Sequence, residues 1–266
     1  MYTAAGNSTL SAYQVAAIRI LSASIVFLPI GLAKFKKIPI EKRKYVLLSG
    51  LIGSFIPAFL FCIAETKIDS SLAGILNALT PVFTIIIGSL IFKTSIQKNK
   101  ILGVCIAFAG MLILFLSNKQ LNIQYFSYAG FVLIATICYG FNVNIAGRYL
   151  REVGSMNIAA IGLGALSLPS LLILFFTGFF ELPLQQKDFL FSTGASVILG
   201  VLSTGVATIL FYALLKKAGT LFTSMVTYGI PFVALGWGLL DGDQVNAFQI
   251  GGLAVILTGV YMTNKT

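Results

Sequence analysis

The chain has 266 residues, of which 58% are apolar and only 10% charged, with a mean hydropathy of +0.96. An ordinary soluble domain carries roughly 25% charged residues, so a water-facing surface is excluded and an integral membrane protein is predicted. The formal charge of +10 does not point to nucleic acid, because the basic residues are spread over inter-helix loops rather than gathered in one patch.

Membrane barrels alternate in and out over about ten residues, whereas the apolar runs here continue for about twenty, the length of a spanning helix. The fold class is therefore all-α and polytopic. Nine spans follow in chain order: Ala12–Leu32, Tyr45–Ala64, Ser71–Phe92, Ile101–Leu116, Phe126–Ala146, Asn157–Phe180, Thr193–Leu215, Thr220–Leu240 and Phe248–Thr263. The loops between them are brief. The first nine residues, MYTAAGNST, lack the basic and apolar regions of a cleavable signal.

Orientation follows from lysine and arginine. With the segment Lys34–Lys44 on the cytoplasmic side, alternation places fourteen basic residues inside and only Lys67, Lys119 and Lys187 outside. Arg19 lies within a span. The C-terminus is then cytoplasmic.

An internal repeat runs through these spans. At an offset of 150, Lys67, Pro81 and Gly88 match Lys217, Pro231 and Gly238. One residue of slippage aligns Gly103 and Gly110 with Gly252 and Gly259. The small-residue stripe Gly50, Ser54, Ala58 and Cys62 is matched by Gly200, Thr204, Thr208 and Tyr212, and small residues four apart let membrane helices approach closely. The repeats are residues 1–118, with four spans, and 119–266, with five. The first repeat is expected to lack its opening helix. Restoring it yields ten spans in two oppositely inserted halves of five, an arrangement typical of secondary transporters.

Pro81 and Pro231 lie near the middle of matched apolar helices. Each removes an N–H and presses on the carbonyl four residues back, that of Asn77 and of Thr227. Freed carbonyls at membrane depth are tolerated only against protein or a wet cavity, so this pair of helix kinks is expected to mark a substrate path. The cavity candidates are Arg19, Asn77, Thr80, Tyr139, Asn142, Tyr212, Thr227 and Tyr228. The bland alternatives stand beside them: interhelical hydrogen bonding for the Asn and Thr residues, packing for Tyr212, and a structural or headgroup contact for Arg19. Asn144 is off the face shared by Tyr139 and Asn142. Trp237 is read as an interfacial anchor.

Cys62, Cys105 and Cys138 stand singly inside apolar runs and read as small buried hydrophobes. The chain contains no histidine, which excludes His-bearing zinc motifs and a Ser-His-Asp triad. No phosphate-binding loop of the type G-x-x-x-x-G-K-[ST] occurs. No catalytic residue, metal or cofactor is expected, and the protein is not expected to be an enzyme. Glu65 and Asp69 read as solvated outer-loop acids. No carboxylate then lies deep in a span, which favours facilitated diffusion or exchange, or coupling through some other group, over proton coupling by a buried acid.

The chain resembles the EamA-type permeases of the drug/metabolite transporter superfamily. The likeness is carried by AAIRILSASIVFLPIG (Ala16–Gly31), NALTPVFTIIIGSLIF (Asn77–Phe92) and GVCIAFAGMLILF (Gly103–Phe115). In the second half it rests on YGIPFVALGWGLL (Tyr228–Leu240) and IGGLAVILTGVYM (Ile250–Met262). The resemblance implies a ten-helix permease with a central cavity, moving small organic solutes by alternating access, and an arginine at the position of Arg19. Two departures stand out. The tryptophan-glycine opening helix is absent, and the glutamate that follows each proline helix is replaced by Lys93 in the first half and Asp243 in the second.

The expected function is secondary transport of small metabolites, such as amino acids or related compounds, across the bacterial inner membrane. A multidrug efflux carrier and a truncated structural or non-functional membrane protein are the alternatives. Expected partners are a small-molecule solute, membrane lipid and a second copy of the chain in a homodimer, and not nucleic acid.

Overall fold

A computed structural model of the chain describes residues 10–68, 70–116, 126–240 and 246–265, and among them every regular element is helical. In chain order these are α1 (Ala12–Phe35), α2 (Ile40–Gly50), α3 (Ile56–Ala64), α4 (Ser70–Asn77), α5 (Thr80–Leu90), α6 (Lys98–Leu116) and α7 (Phe126–Tyr149). Then follow α8 (Ser155–Gly164), α9 (Ser167–Phe176), α10 (Lys187–Leu199), α11 (Ala207–Ser224), α12 (Ile230–Leu240) and α13 (Ala247–Lys265). Asp69, Lys119, Asp241, Asp243 and the side chain of Trp237 lie outside the described residues.

Among the described residues six helical stretches are long and apolar enough to cross a membrane: Ala12–Phe35, Ile40–Ala64, Leu72–Leu90, Ser127–Tyr149, Ser155–Phe176 and Lys187–Val233. The last has 47 residues, about 70 Å at 1.5 Å per residue, roughly twice a bilayer's hydrocarbon thickness. It is broken at Gly219, whose φ of +82° is readily adopted only by glycine. Large apolar side chains point outward along these stretches, with Phe175, Phe176, Phe191 and Leu210 each more than 60% exposed. In water such a surface would aggregate; in lipid it is the correct face.

The second span begins at Ile40 rather than Tyr45. Pro39, with φ −51°, stands at the N-cap and Glu41 occupies the first turn, where a carboxylate suits the helix dipole. Lys42, Arg43 and Lys44 are consequently helical rather than loop residues. Lys42 pairs with Glu152 just after α7, and this partner holds the Glu152 carboxyl below its ordinary range.

The helices form two compact units. One comprises Met1–Thr66 and Ile145–Lys217, the other Lys67–Asn144 and Ala218–Thr266.

In the first unit α1 is the hub, packed on α3, α8, α9 and α10. It opens with a capping box in which the Ser11 hydroxyl accepts the Gln14 N–H at 3.2 Å and Gln14 Oε1 accepts the Ser11 N–H at 2.9 Å. The Gln14 amide then donates to the Thr177 carbonyl at 2.9 Å, fastening α1 to the end of α9. Ile20, Ala23, Phe27, Ala58, Ala160 and Leu163 build its core. Deeper contact relies on glycine. A methyl group on Gly50 would sit 2.4 Å from the Gly162 carbonyl oxygen, and one on Gly200 would sit 2.3 Å from that of Arg19.

Both long helices of this unit carry a widened, π-helical turn, at Leu51–Phe55 and at Gly200–Val206. The first has a direct cause in Pro57, whose ring presses on the carbonyl of Gly53. The second has no proline and accompanies the close approach of α1 at Gly200 and Gly205.

In the second unit α6 and α13 are antiparallel and in intimate contact. A methyl on Gly103 would meet the Gly259 carbonyl oxygen at 2.7 Å, and one on Gly110 would meet that of Gly252 at 2.8 Å. Around this pair lie Ile75, Val104, Met111, Met225, Tyr228 and Ile256. Asn144 binds α7 to α5, its Nδ2 donating to the Thr84 carbonyl at 3.0 Å and to that of Gly140 at 2.9 Å.

Lys93 has a structural explanation. It adopts φ +51° just beyond α5, while the Thr94 N–H reaches back to the Gly88 carbonyl at 2.8 Å. This is a left-handed exit from the helix, a conformation that suits glycine. Lys93→Gly is expected to stabilise the protein by about 0.5–1 kcal/mol, read as a higher midpoint of thermal unfolding in detergent. A lower midpoint would mean that the lysine side chain holds this corner.

Candidate functional site

The two proline helices are interrupted where their N–H groups are missing. The first stops at Asn77 as α4 and resumes at Thr80 as α5. The second passes through a 3₁₀ segment, Met225–Gly229, before α12 begins at Ile230. Neither freed carbonyl is left bare. The Thr80 hydroxyl donates to the Asn77 carbonyl at 2.7 Å and approaches Asn77 Oδ1 at 3.4 Å. The Thr227 carbonyl accepts the Ile230 N–H. These local bonds let the chain bend at membrane depth without the cost of an unsatisfied backbone group.

The structure brings Asn77 and Thr80 together, and Thr227 with Tyr228. Thr80 is buried and Asn77 half-buried. The Thr227 hydroxyl donates back to the Ser224 carbonyl at 3.2 Å. Tyr228 is buried in the core and its hydroxyl reaches the Val104 carbonyl at 3.3 Å, so it fastens the 3₁₀ segment to α6. Tyr139 is half-buried on α7, and Asn142 is buried one turn further on. All these residues belong to the second unit.

Arg19 and Tyr212 belong to the first unit. Tyr212 is 2% exposed, its ring 5.7 Å from that of Phe211. Arg19 lies seven residues into α1, about 10 Å along its axis. One of its terminal nitrogens reaches the Cys62 sulfur at 3.9 Å. Its Nε is buried without a hydrogen-bond partner among the described residues. A charged group with a nitrogen left so is uncommon in a folded protein.

Glu65, read from sequence as a solvated acid, sits one turn beyond Cys62. It is open to water on one side, yet partial desolvation at the end of α3 raises its carboxyl above the ordinary range, with Arg19 acting in the opposite direction. Its link to Arg19 had no local signal, because the two lie on different spans. Asn144, set off the face of Tyr139 and Asn142 by its spacing, spends its amide on the Thr84 and Gly140 carbonyls.

Long apolar helices with large hydrophobic side chains turned outward and polar groups mostly buried between them define a multi-pass helical membrane protein. Comparison with known proteins narrows the class. The family model described as the EamA-like transporter family matches residues 1–116 and 126–265, and the chain belongs to that family. It is a transporter, not an enzyme. A relative from Salmonella typhimurium, named a probable amino-acid metabolite efflux pump, is 27% identical over 214 residues, covering 77% of this chain and 71% of the relative. One from Acidianus ambivalens, an uncharacterized transporter, is 26% identical over 251 residues, covering 93% and 91%. A solved crystal structure superposes with a TM-score of 0.72 at 16% identity, covering 97% of this chain and 88% of the other; it speaks to the fold alone.

Proposed function

We propose that the protein is a secondary permease moving small organic metabolites, such as amino acids or related compounds, across the bacterial inner membrane by alternating access. Nine spans are assigned to the chain, in an inverted repeat of residues 1–118 and 119–266, with the C-terminus in the cytoplasm. The observation that carries this reading is the recurrence of irregularities. The π turn at Leu51–Phe55 recurs at Gly200–Val206, and the break at residues 78–79 recurs within Met225–Gly229. Both pairs fall at the offset of 150 seen in the sequence. Backbone irregularities in membrane helices require cavity or protein partners, and their duplication favours a transport site shared by two halves. The name of the Salmonella relative supports an amino-acid-like solute.

Asn77 and Thr227 are assigned to the solute path. Replacing either by leucine leaves the bend intact, because Thr80 still caps the Asn77 carbonyl and Ile230 still caps that of Thr227. Asn77→Leu and Thr227→Leu are each expected to lower solute flux about tenfold or more, the loss of one or two polar contacts, at unchanged expression. Vesicle uptake and efflux across an amino-acid panel measures this. Wild-type flux in both variants would remove these residues from the path.

A further inference from the structure

We propose that the first unit holds a specific site for an anionic glycerophospholipid, with one acyl chain in a groove of α1, α2 and α8 and the phosphate against Lys34, Lys36 and Lys37. The groove has a volume of about 250 Å³ and an apolar lining that includes Leu28, Leu32, Phe35, Leu47, Ala160 and Gly164. It exists because α1 and α8 meet without side chains between them: a methyl on Gly31 would lie 2.7 Å from the Ala160 carbonyl oxygen. Leu28, Leu32 and Phe35 follow one another at helical spacing on one face of α1. Leu32 is 69% exposed and Leu47 38%, so the groove is open along its length to a hydrocarbon chain.

One end of the groove is apolar and the other is charged. Phe35, the last residue of α1, forms the wall at the charged end, and the Arg43 guanidinium lies over its ring at 4.8 Å. Leu47 lies one turn beyond Arg43 and Lys44 on α2, so the same helix face passes from cation to hydrocarbon. The stretch Lys34–Lys44 carries six basic residues and one acid, Glu41.

The individual commitments of these cations decide which of them are available. Lys42 is engaged by Glu152. Arg43 donates through Nε to the Ile38 carbonyl at 3.1 Å and through Nη2 to that of Lys36 at 3.3 Å, which fixes the turn. Lys44 sits 5.1 Å from the Tyr45 ring centre. Lys34, Lys36 and Lys37 have no carboxylate partner among the described residues. A two-part ligand, apolar along one length and anionic at its end, matches this pairing of an open groove with uncommitted cations. Anionic phospholipid has that form and is the solvent at a basic membrane face.

The test uses the full chain purified in neutral detergent, with the thermal unfolding midpoint read against added lipid. Dioleoyl phosphatidylglycerol is expected to raise the midpoint by several degrees more than dioleoyl phosphatidylcholine. Soluble glycerol phosphate is expected to have no effect. The triple variant Lys34→Gln, Lys36→Gln, Lys37→Gln should weaken the apparent affinity for phosphatidylglycerol about tenfold or more and abolish the difference between the two lipids. Ala165→Phe, which fills the groove from an exposed position, should reduce the phosphatidylglycerol effect without lowering the lipid-free midpoint. Equal stabilisation by the two lipids would overturn the proposal, as would protection by glycerol phosphate alone. So would a change of oligomeric state in Ala165→Phe with the lipid effect intact, which would assign the groove to a second copy of the chain.

Discussion

Gly259→Val is expected to abolish accumulation of folded protein. A single methyl at this position would stand 2.4 Å from both the Ala107 nitrogen and the Gly103 carbonyl oxygen. Those atoms are backbone in the middle of a helix and cannot rotate away. Relief requires α6 and α13 to separate along their whole contact, opening the core around Val104, Met111 and Ile256. Ordinary overpacking costs about 1–3 kcal/mol; against unyielding backbone on two helices the cost should exceed that range and approach the protein's total stability. Gly251→Val is the control, since nothing lies within 4 Å of a methyl there. The measurement is the monodisperse fraction recovered by size exclusion in detergent. Equal recovery of both variants would mean that the two helices do not meet as described.

This contact illustrates what could be read from the chain and what could not. The four glycines were visible as matched pairs, Gly103 with Gly252 and Gly110 with Gly259. In the sequence they mark the repeat, and close helix approach is read only from the stripe at Gly50, Ser54, Ala58 and Cys62. The pairing in space is crossed: Gly103 meets Gly259, and Gly110 meets Gly252. Sequence alignment identifies equivalent positions, while an antiparallel contact between equivalents joins the early position of one helix to the late position of the other.

The breaks before Pro81 and Pro231 were legible because a missing N–H acts locally. The satisfaction of the freed carbonyls was not, since it depends on the rotamer of Thr80 and on the tightening of residues 225–229 into a 3₁₀ turn. Of the two π turns, only the one before Pro57 has a local cause. The other accompanies Gly200 and Gly205 lying against Arg19, Ser22 and Phe27, residues about 180 positions away. The start of α2 was misplaced because Lys42–Lys44 resemble a loop by charge. A helix leaving the hydrocarbon keeps its hydrogen bonds in water, so charge alone does not end it. Glu65 is exposed, as its place in an outer loop suggested; the influence of Arg19 on it had no local signal, because that residue is distant in sequence.

Arg19 carries the second large effect, and here the expected loss is of transport rather than of folding. Among the described residues its guanidinium reaches the Cys62 sulfur, a weak acceptor, and its Nε has no hydrogen-bond partner. Removing it leaves no strong partner stranded, so Arg19→Ala is expected to fold. If the guanidinium donates to the carboxylate of an amino-acid-like solute, flux falls about a hundredfold, the loss of a charge-assisted pair worth about 3 kcal/mol. Arg19→Lys should restore only part of it, because an ammonium lacks the planar fork. The loss should appear mainly as a raised half-saturation constant.

Glu65 supplies an independent readout. Partial desolvation holds its folded-state carboxyl above the unfolded value, and Arg19 opposes that shift. A raised carboxyl binds its proton more tightly in the folded state. Stability is therefore greater below the ordinary carboxylate range and declines as pH rises through the raised value. Without Arg19 the opposing charge is gone, so Arg19→Ala should lose more of its unfolding midpoint between acidic and neutral pH than the wild type does. Glu65→Gln in the same background should remove the excess. An identical pH dependence with and without Arg19 would show that the two groups do not sense each other, and unimpaired flux in Arg19→Ala would take the arginine out of the transport path.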